Sequence, residues 1–320
     1  MDNAVIGAQQ KVTEIINNIE KVIVGKRKAV ELAVITLISQ GHLLIEDRPG
    51  VGKTMLARSL AKSINCTFRR IQFTPDMLPG DITGVSVYNQ KTGDFEFRPG
   101  PIVSQVVLAD EINRGTPKVQ SALLQPMEER QITVDGNTYA MPNPFHVLAT
   151  QDPLDYEGVF PLPEAQLDRF LMRISLGYPS APDEILIMER QQYVHPIEQL
   201  CPVADTSDVR MLQETVKSIY VDNLVKQYIV SLIEATRNHR AIYAGSSPRG
   251  SLALFRTAQA LALIQGRDFV LPDDIKALAE PVLAHRLISP PTAQPQDKDG
   301  RASIAQILET VPVPGALPRR

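Results

Sequence analysis

Cysteine is scarce: Cys66 and Cys201 are the only two in 320 residues. Two cysteines build no disulfide framework, and the five histidines are scattered without zinc-ligand spacing. No apolar run approaches the roughly 20 residues that a membrane span needs. The N-terminus, Met1-Asp2-Asn3, lacks the charged-then-apolar pattern of a signal peptide. These absences favour the cytoplasm and exclude a helical membrane segment. An excess of basic charge is missing as well. Lys and Arg number 33 against 36 Asp and Glu, a net charge of −3, which gives no footprint for nucleic acid. What is there is an ordinary globular composition, 43% hydrophobic and 22% charged, long enough for a sizeable core and two domains.

The most informative stretch is Pro49-Gly50-Val51-Gly52-Lys53-Thr54. It follows the apolar run His42-Leu43-Leu44-Ile45 and opens a helical pattern through Met55, Leu56, Leu60 and Ile64. Strand, glycine-rich turn and helix is the context that a phosphate-binding loop needs, because backbone N–H groups then curl around phosphate oxygens. Lys53 is expected to reach the β- and γ-phosphates of a nucleotide, and the Thr54 hydroxyl to take Mg²⁺. The full pattern has a glycine where this chain has Asp47, so the match is partial.

Val106-Val107-Leu108-Ala109-Asp110-Glu111 is the second signal. An apolar run ending in two acids reads as a buried parallel strand with carboxylates at its tip. Asp110 is the candidate Mg²⁺ ligand, and Glu111 the residue that orients and deprotonates an attacking water. In an open parallel sheet both signals fall at the carboxyl edge, where ligands bind. Together they point to a nucleoside triphosphatase.

Around them the chain alternates strand and helix patterns. Val12 to Ser39 reads as two helices broken at Val24-Gly25. Phe68–Phe73, Phe145–Ala149 and Met172–Leu176 read as further strands. Two hairpins are expected, one around Lys91-Thr92-Gly93-Asp94 and one with Asp135-Gly136 at its turn. The alternation argues a doubly wound α/β sheet. Tyr178 to Pro182 marks a boundary, beyond which every strong pattern is helical. The segment from Ser289 to Arg320 is proline-rich, with one short helix near Ala302–Glu309; it is expected to be partly disordered or to pack on a neighbour.

The loop, Asp110-Glu111-Ile112-Asn113-Arg114, the two hairpins and Phe160-Pro161-Leu162-Pro163-Glu164-Ala165-Gln166-Leu167-Asp168-Arg169-Phe170 resemble the MoxR branch of AAA+ ATPases. That resemblance implies an αβα core with two hairpin inserts, here residues 1–178, and an all-α lid, residues 179–320. It implies a homo-oligomeric ring, a hexamer, with the hairpins facing its pore or axial surface. The first hairpin would interrupt a core helix, and the second would precede the sensing strand. Val24 and Gly25 would wall the adenine, and Pro49 through Met55 would hold the phosphates of ATP. Gln151 and Asp152 fall where the family has its first sensor; the usual residue at Asp152 is Asn. Arg169 resembles the arginine finger, and Arg249, at the start of a lid helix, the second sensor. Arg114 would face a neighbouring subunit. The family also implies a von Willebrand factor A-domain partner and remodelling or assembly of protein clients; the net charge, not the family, argues against a nucleic-acid partner. Two other readings compete: a nucleotide-gated scaffold with little turnover, and a DNA motor, which the acid-leaning composition argues against.

Overall fold

In the computed structural model, which describes residues 3–153, 159–290 and 300–314, the chain opens with two helices, α1 (Asn3–Glu20) and α2 (Arg27–Ile38). The break between them contains Gly25, whose φ of 68° lies in the left-handed region that ends helices. There follow β1 (Leu43–Glu46), α3 (Lys53–Ser63), β2 (Phe68–Gln72), a short α4 (Pro79–Thr83), and the hairpin β3 (Gly84–Asn89) and β4 (Asp94–Pro99). Then come β5 (Val106–Asp110), α5 (Pro117–Glu129), the hairpin β6 (Gln131–Val134) and β7 (Asn137–Ala140), β8 (His146–Gln151), α6 (Glu164–Leu167) and β9 (Met172–Ile174).

The central sheet runs β2-β5-β8-β1-β9, and every pairing in it is parallel. All of β5 and nearly all of β8 are buried. Helices cover both faces, which is why these strands read as unbroken apolar runs rather than alternating ones. Leu56, Leu60 and Ile64 are buried on one side with Ile16, Ile45 and Leu108, so the helix after the loop packs as its periodicity predicts. Leu44, Val107, Ala109 and Val147 point to the other side, against Leu123 and Leu124 of α5. Helix α5 continues through Pro126, whose carbonyl accepts from Arg130 N at 3.0 Å.

The first hairpin follows α4 directly and pairs Tyr88 with Phe95. The second turns through Asp135 and Gly136 at φ 49° and 80°, the left-handed pair that a two-residue loop requires. The two hairpins meet where the Phe97 and Tyr139 rings stack with centroids 4.2 Å apart.

From Ala181 onward the described residues form helices: α7 (Ala181–Gln191), α8 (Pro196–Gln199), α9 (Thr206–Ser218), α10 (Asn223–Asn238), α11 (Pro248–Ile264), α12 (Pro272–Leu283) and α13 (Arg301–Thr310). Ser180, Asp205, Asp222 and Ser247 cap four of them by accepting from first-turn N–H groups. Residues 291–299 and 315–320 of the proline-rich segment lie outside the described residues. The N-terminal helices are not confined to the sheet. Helix α1 packs on α3, α9 and α11, and α2 on α9, α11 and β9. One apolar core therefore runs from Ile16 through Leu60 to Leu212 and Leu254, tying the helical C-terminal region to the sheet.

Candidate active site

The loop between β1 and α3 turns through Gly50 and Gly52, at φ 85° and 96°. A Cβ added to either would meet nothing within 4 Å, so these glycines are required by conformation and leave open space above the loop. No side chain caps α3. Its first N–H groups, at Lys53, Thr54 and Met55, are thus available to an anion, with the helix dipole behind them. Lys53 Nζ donates to the Asp47 carbonyl. Val51 and Met55 are half-buried against the core and hold the loop down.

Asp47 does not need to be glycine, because its backbone stays out of the left-handed region. Its side chain is a clamp instead. Oδ2 accepts from Ser175 Oγ (2.8 Å), Leu176 N (2.8 Å) and Gly177 N (2.7 Å), and Oδ1 accepts from Arg48 N (2.8 Å). Burial alone would raise the Asp47 carboxyl, but the hydrogen bonds from Gly177, Ser175, Arg48 and Leu176 outweigh it and hold it below the usual carboxylate range. The departure from the loop pattern thus fastens the start of the loop to the segment leaving β9.

At the tip of β5, Asp110 is buried and both of its carboxylate oxygens are engaged. Oδ1 accepts from Thr150 Oγ1 at 2.6 Å, and Oδ2 accepts from Arg70 Nε and Nη2 at 3.0 and 2.7 Å. Glu111 takes a left-handed φ of 55°, which throws its side chain out of the strand line. Its Oε2 accepts from Gln72 Nε2 at 3.0 Å and pairs with Arg114 Nε at 3.2 Å. Gln151, at the tip of β8, leaves its buried Oε1 without a hydrogen-bond partner. The Asp152 carbonyl accepts from Asn113 Nδ2 at 3.2 Å, joining β8 to the turn after Glu111. The Thr54 hydroxyl and the Asp110 carboxylate are hard oxygen donors of the kind that fits Mg²⁺, and the uncapped helix fits the phosphates.

Val24 and Gly25 lie beside this edge. A cavity of about 380 Å³ is lined by Gly25, Lys26 and residues Arg173 to Leu176, next to the segment that Asp47 holds. Val24 itself is buried, and Gly25 is pressed against the Asp183 carboxylate.

Arg169 and Arg249 are elsewhere. Arg169 stands just before β9, and Leu171 N donates to the carbonyl of His42, just before β1. That is the amino edge of the sheet, about 15 Å of strand away from the loop at 3.3 Å per residue. Arg249 comes to the same edge from α11. Glu128 joins the two, with Oε2 3.2 Å from Arg169 Nε and Oε1 bonded to Arg249 Nη2. Asp168 lies 3.7 Å from Arg249 and is bonded to the buried Arg286. Arg130 and Arg256 line the same cavity of about 360 Å³. Five guanidinium groups against two carboxylates leave this surface strongly positive.

Sequence comparison agrees with the geometry. Residues 42–172 match the "ATPase family associated with various cellular activities (AAA)" and residues 234–307 the "AAA lid domain". The chain is 41% identical over 313 residues to Chaperone MoxR1 of Mycobacterium tuberculosis, covering 94% of this chain and 82% of that one. It is 31% identical over 320 residues to Protein MoxR of Paracoccus denitrificans, covering 92% and 94%. The chain belongs to the MoxR family of AAA+ ATPases. Within reach of this MoxR-family chain is also an uncharacterised Bacillus subtilis protein, YeaC, 51% identical over 299 residues and 93% of each chain. A crystal structure of an ATPase candidate from Cytophaga hutchinsonii superposes with a TM-score of 0.90 at 38% identity, over 97% of both chains. The parallel sheet, hairpins and helical lid region are thus those of an α/β AAA+ fold. No helix among the described residues is long and apolar enough to cross a membrane.

Four polar residues at these two edges escape a motif reading: Arg70, Gln72, Glu128 and Arg286. None stands in a recognisable pattern. The period of two along β2 does put Arg70 and Gln72 on one face, and that was the only signal available.

Proposed function

We propose that this chain is the subunit of an ATP-hydrolysing ring, a hexamer, in which each active site is shared between two chains. The observation that carries the proposal is the separation of the two half-sites. The phosphate loop with Asp110, Glu111 and Gln151 is at the carboxyl edge, whereas Arg169 and Arg249 share Glu128 at the amino edge. A strand's length lies between them, so neither arginine can serve its own loop. Closing both half-sites requires the arginine edge of one copy to face the loop edge of the next, a head-to-tail contact that closes into a ring.

In that site the Lys53 ammonium and the α3 N–H groups bind the phosphates, with Val24 and Gly25 beside the adenine. Thr54 and Asp110 would hold Mg²⁺, which when bound neutralises charge on the phosphates. Glu111 takes the proton of the attacking water. Gln151 and Asp152 line the side of the γ-phosphate. Arg169 and Arg249 of the neighbour stabilise charge that develops in the transition state. Residues 1–178 act as the nucleotide-binding core and residues 179–320 as the lid. Turnover would shift the lid on the core and move the hairpins against a protein client. A von Willebrand factor A-domain protein is the partner the family suggests, and the cytoplasm the compartment.

Complementation between two dead variants is the test. Arg169→Ala should bind ATP yet lose hydrolysis by about 10³-fold. Glu111→Gln should bind ATP and hydrolyse it on the order of 10²–10⁴-fold more slowly. Once both are shown to form rings, mixing them pairs intact Glu111 with a neighbour's intact Arg169, and activity should partly return. Mixed rings that stay dead, with parental rings intact, would overturn the shared site.

A further inference from the structure

Asp110 is already bound to a cation. Arg70, on the edge strand β2, gives two N–H groups to Asp110 Oδ2, from Nε at 3.0 Å and Nη2 at 2.7 Å. Nη2 also donates to Gln72 Oε1 at 2.5 Å, on the same face of the same strand. The other carboxylate oxygen of Asp110 takes the Thr150 hydroxyl at 2.6 Å. A carboxylate offers about four lone-pair positions, and three of Asp110's are filled by its own chain.

We propose that Arg70 is a positioning residue that competes with Mg²⁺ for Asp110 and so sets the divalent-ion requirement of the site. The inference rests on the reading of this edge as the nucleotide site. Three features support it. First, the contested oxygen is the same one: a cation that uses Oδ2 must displace Arg70, or share the oxygen with a guanidinium at close range. Repulsion between a dication and a fixed positive charge a few ångströms away lowers affinity even near a solvated surface. Second, the latch can open. The Arg70 side chain is half exposed, at 50%, so a released guanidinium passes into water, although the Asp110 carboxylate that it leaves is only 10% exposed. Third, Arg70 keeps a partner after release, because Gln72 Oε1 already accepts from it.

Arg70 therefore does something that a mere structural ion pair would not. It neutralises Asp110 from within the chain, so that an incoming ion replaces a cation rather than meeting a bare carboxylate. Neutralising Arg70 should make Mg²⁺ bind more tightly. A structural role predicts the opposite, since Asp110 would lose the group that orients it.

The experiment is a Mg²⁺ titration of fluorescent ADP binding, read as the Mg²⁺ concentration at half effect, on wild type, Arg70→Gln and Arg70→Lys. Binding, not turnover, is the readout, so each variant reports even where hydrolysis is slow. Arg70→Gln removes the charge and should lower the half-effect concentration by roughly ten-fold. Arg70→Lys keeps the charge without the fork and should stay near wild type. An unchanged or raised Mg²⁺ requirement in Arg70→Gln, with wild type responding to Mg²⁺, would overturn the competition while leaving the nucleotide site intact. Equal effects of Gln and Lys would show that shape rather than charge matters, and would also overturn it. A wild type that binds no ADP would overturn the nucleotide site itself and the inference with it. Circular dichroism on both variants separates misfolding from these outcomes, and Arg70's exposure makes either substitution compatible with the fold.

Discussion

Replacing Asp47 offers a sharp test of how the phosphate loop is held. Oδ2 accepts three hydrogen bonds, from Ser175 Oγ, Leu176 N and Gly177 N, at 2.7 to 2.8 Å. Hydrogen bonds to a charged partner contribute about 1.5–3 kcal/mol each, but Ser175 is exposed and recovers water, so the two backbone donors dominate. Asp47→Ala strands them and should cost about 3–5 kcal/mol, a large part of a typical domain's stability. Asp47→Asn keeps one acceptor oxygen for the three donors but turns an amide toward Arg48 N, and should cost about 1–2 kcal/mol. Asp47→Gly restores the general loop pattern, yet the backbone there has no left-handed φ for glycine to relieve. It should fall below Ala by about 0.5–1 kcal/mol of backbone entropy. The chain has no tryptophan, so urea denaturation is followed by circular dichroism, beside the affinity for a fluorescent ATP analogue. Stability and affinity should fall together in the order Asp, Asn, Ala, Gly. A glycine variant that equals wild type in both would refute the clamp, and so would Asn as costly as Ala. Because the Asp47 carboxyl is held below its ordinary range, its contribution is complete at neutral pH and is lost only as pH falls below about 4.

Further outcomes follow from the same geometry. Lys53→Ala should lose most nucleotide affinity, since the ammonium is the main point charge facing the phosphates; unchanged binding of a fluorescent ATP analogue would misplace the site. Asp152→Asn should leave turnover unchanged or raised, because it removes a negative charge near the γ-phosphate; a loss of several-fold in a steady-state ATPase assay would give Asp152 a positive role. Burial, with the nearby Arg130 guanidinium contributing, pushes His42 well below and His146 down to about 4 from the ordinary value, and burial likewise lowers His285. The unfolded chain takes up these protons first as pH falls from about 6.5, so stability should drop between there and pH 4, with His146 alone worth about 3 kcal/mol. Urea midpoints at pH 7.5 and 4.5 should differ accordingly, and less so in His146→Gln.

Much of the carboxyl edge was legible in the sequence because its chemistry is local. Lys53 and Thr54 follow their glycines directly, and Asp110 and Glu111 end one apolar run. The helices of the C-terminal region announced themselves through their periodicity. What was not legible joins residues far apart in the chain. Asp47 reaches Gly177, Arg70 reaches Asp110, and Glu128 of α5 reaches Arg249 of α11. Such pairs carry no period and no spacing, so nothing marks them until the strand order is known. The same holds for α1 and α2, whose apolar faces predict a partner without naming α9 and α11. Asp47 misled in a particular way: compared with a loop pattern it looks like a defect, and only its four donors show that it replaces conformational freedom with a fixed anchor.

The strand order also changes how the arginines are understood. A cation at the start of α11 opposes the helix dipole, which argues that Arg249 has another task. Within one chain that task is a bond to Glu128, which also holds Arg169. At the opposite edge the pattern repeats with the signs reversed, as Arg70 holds Asp110 and Gln72 and Arg114 hold Glu111. In a single chain, then, these charged groups rest on partners from the same chain. In the Arg114–Glu111 and Arg249–Glu128 pairs both groups are exposed, and pairs of that kind contribute about 0–1 kcal/mol, whereas Arg70 is half exposed but bonded to a buried carboxylate. The two exposed pairs are weak enough to be exchanged for other partners, which is what the proposed shared site requires of them.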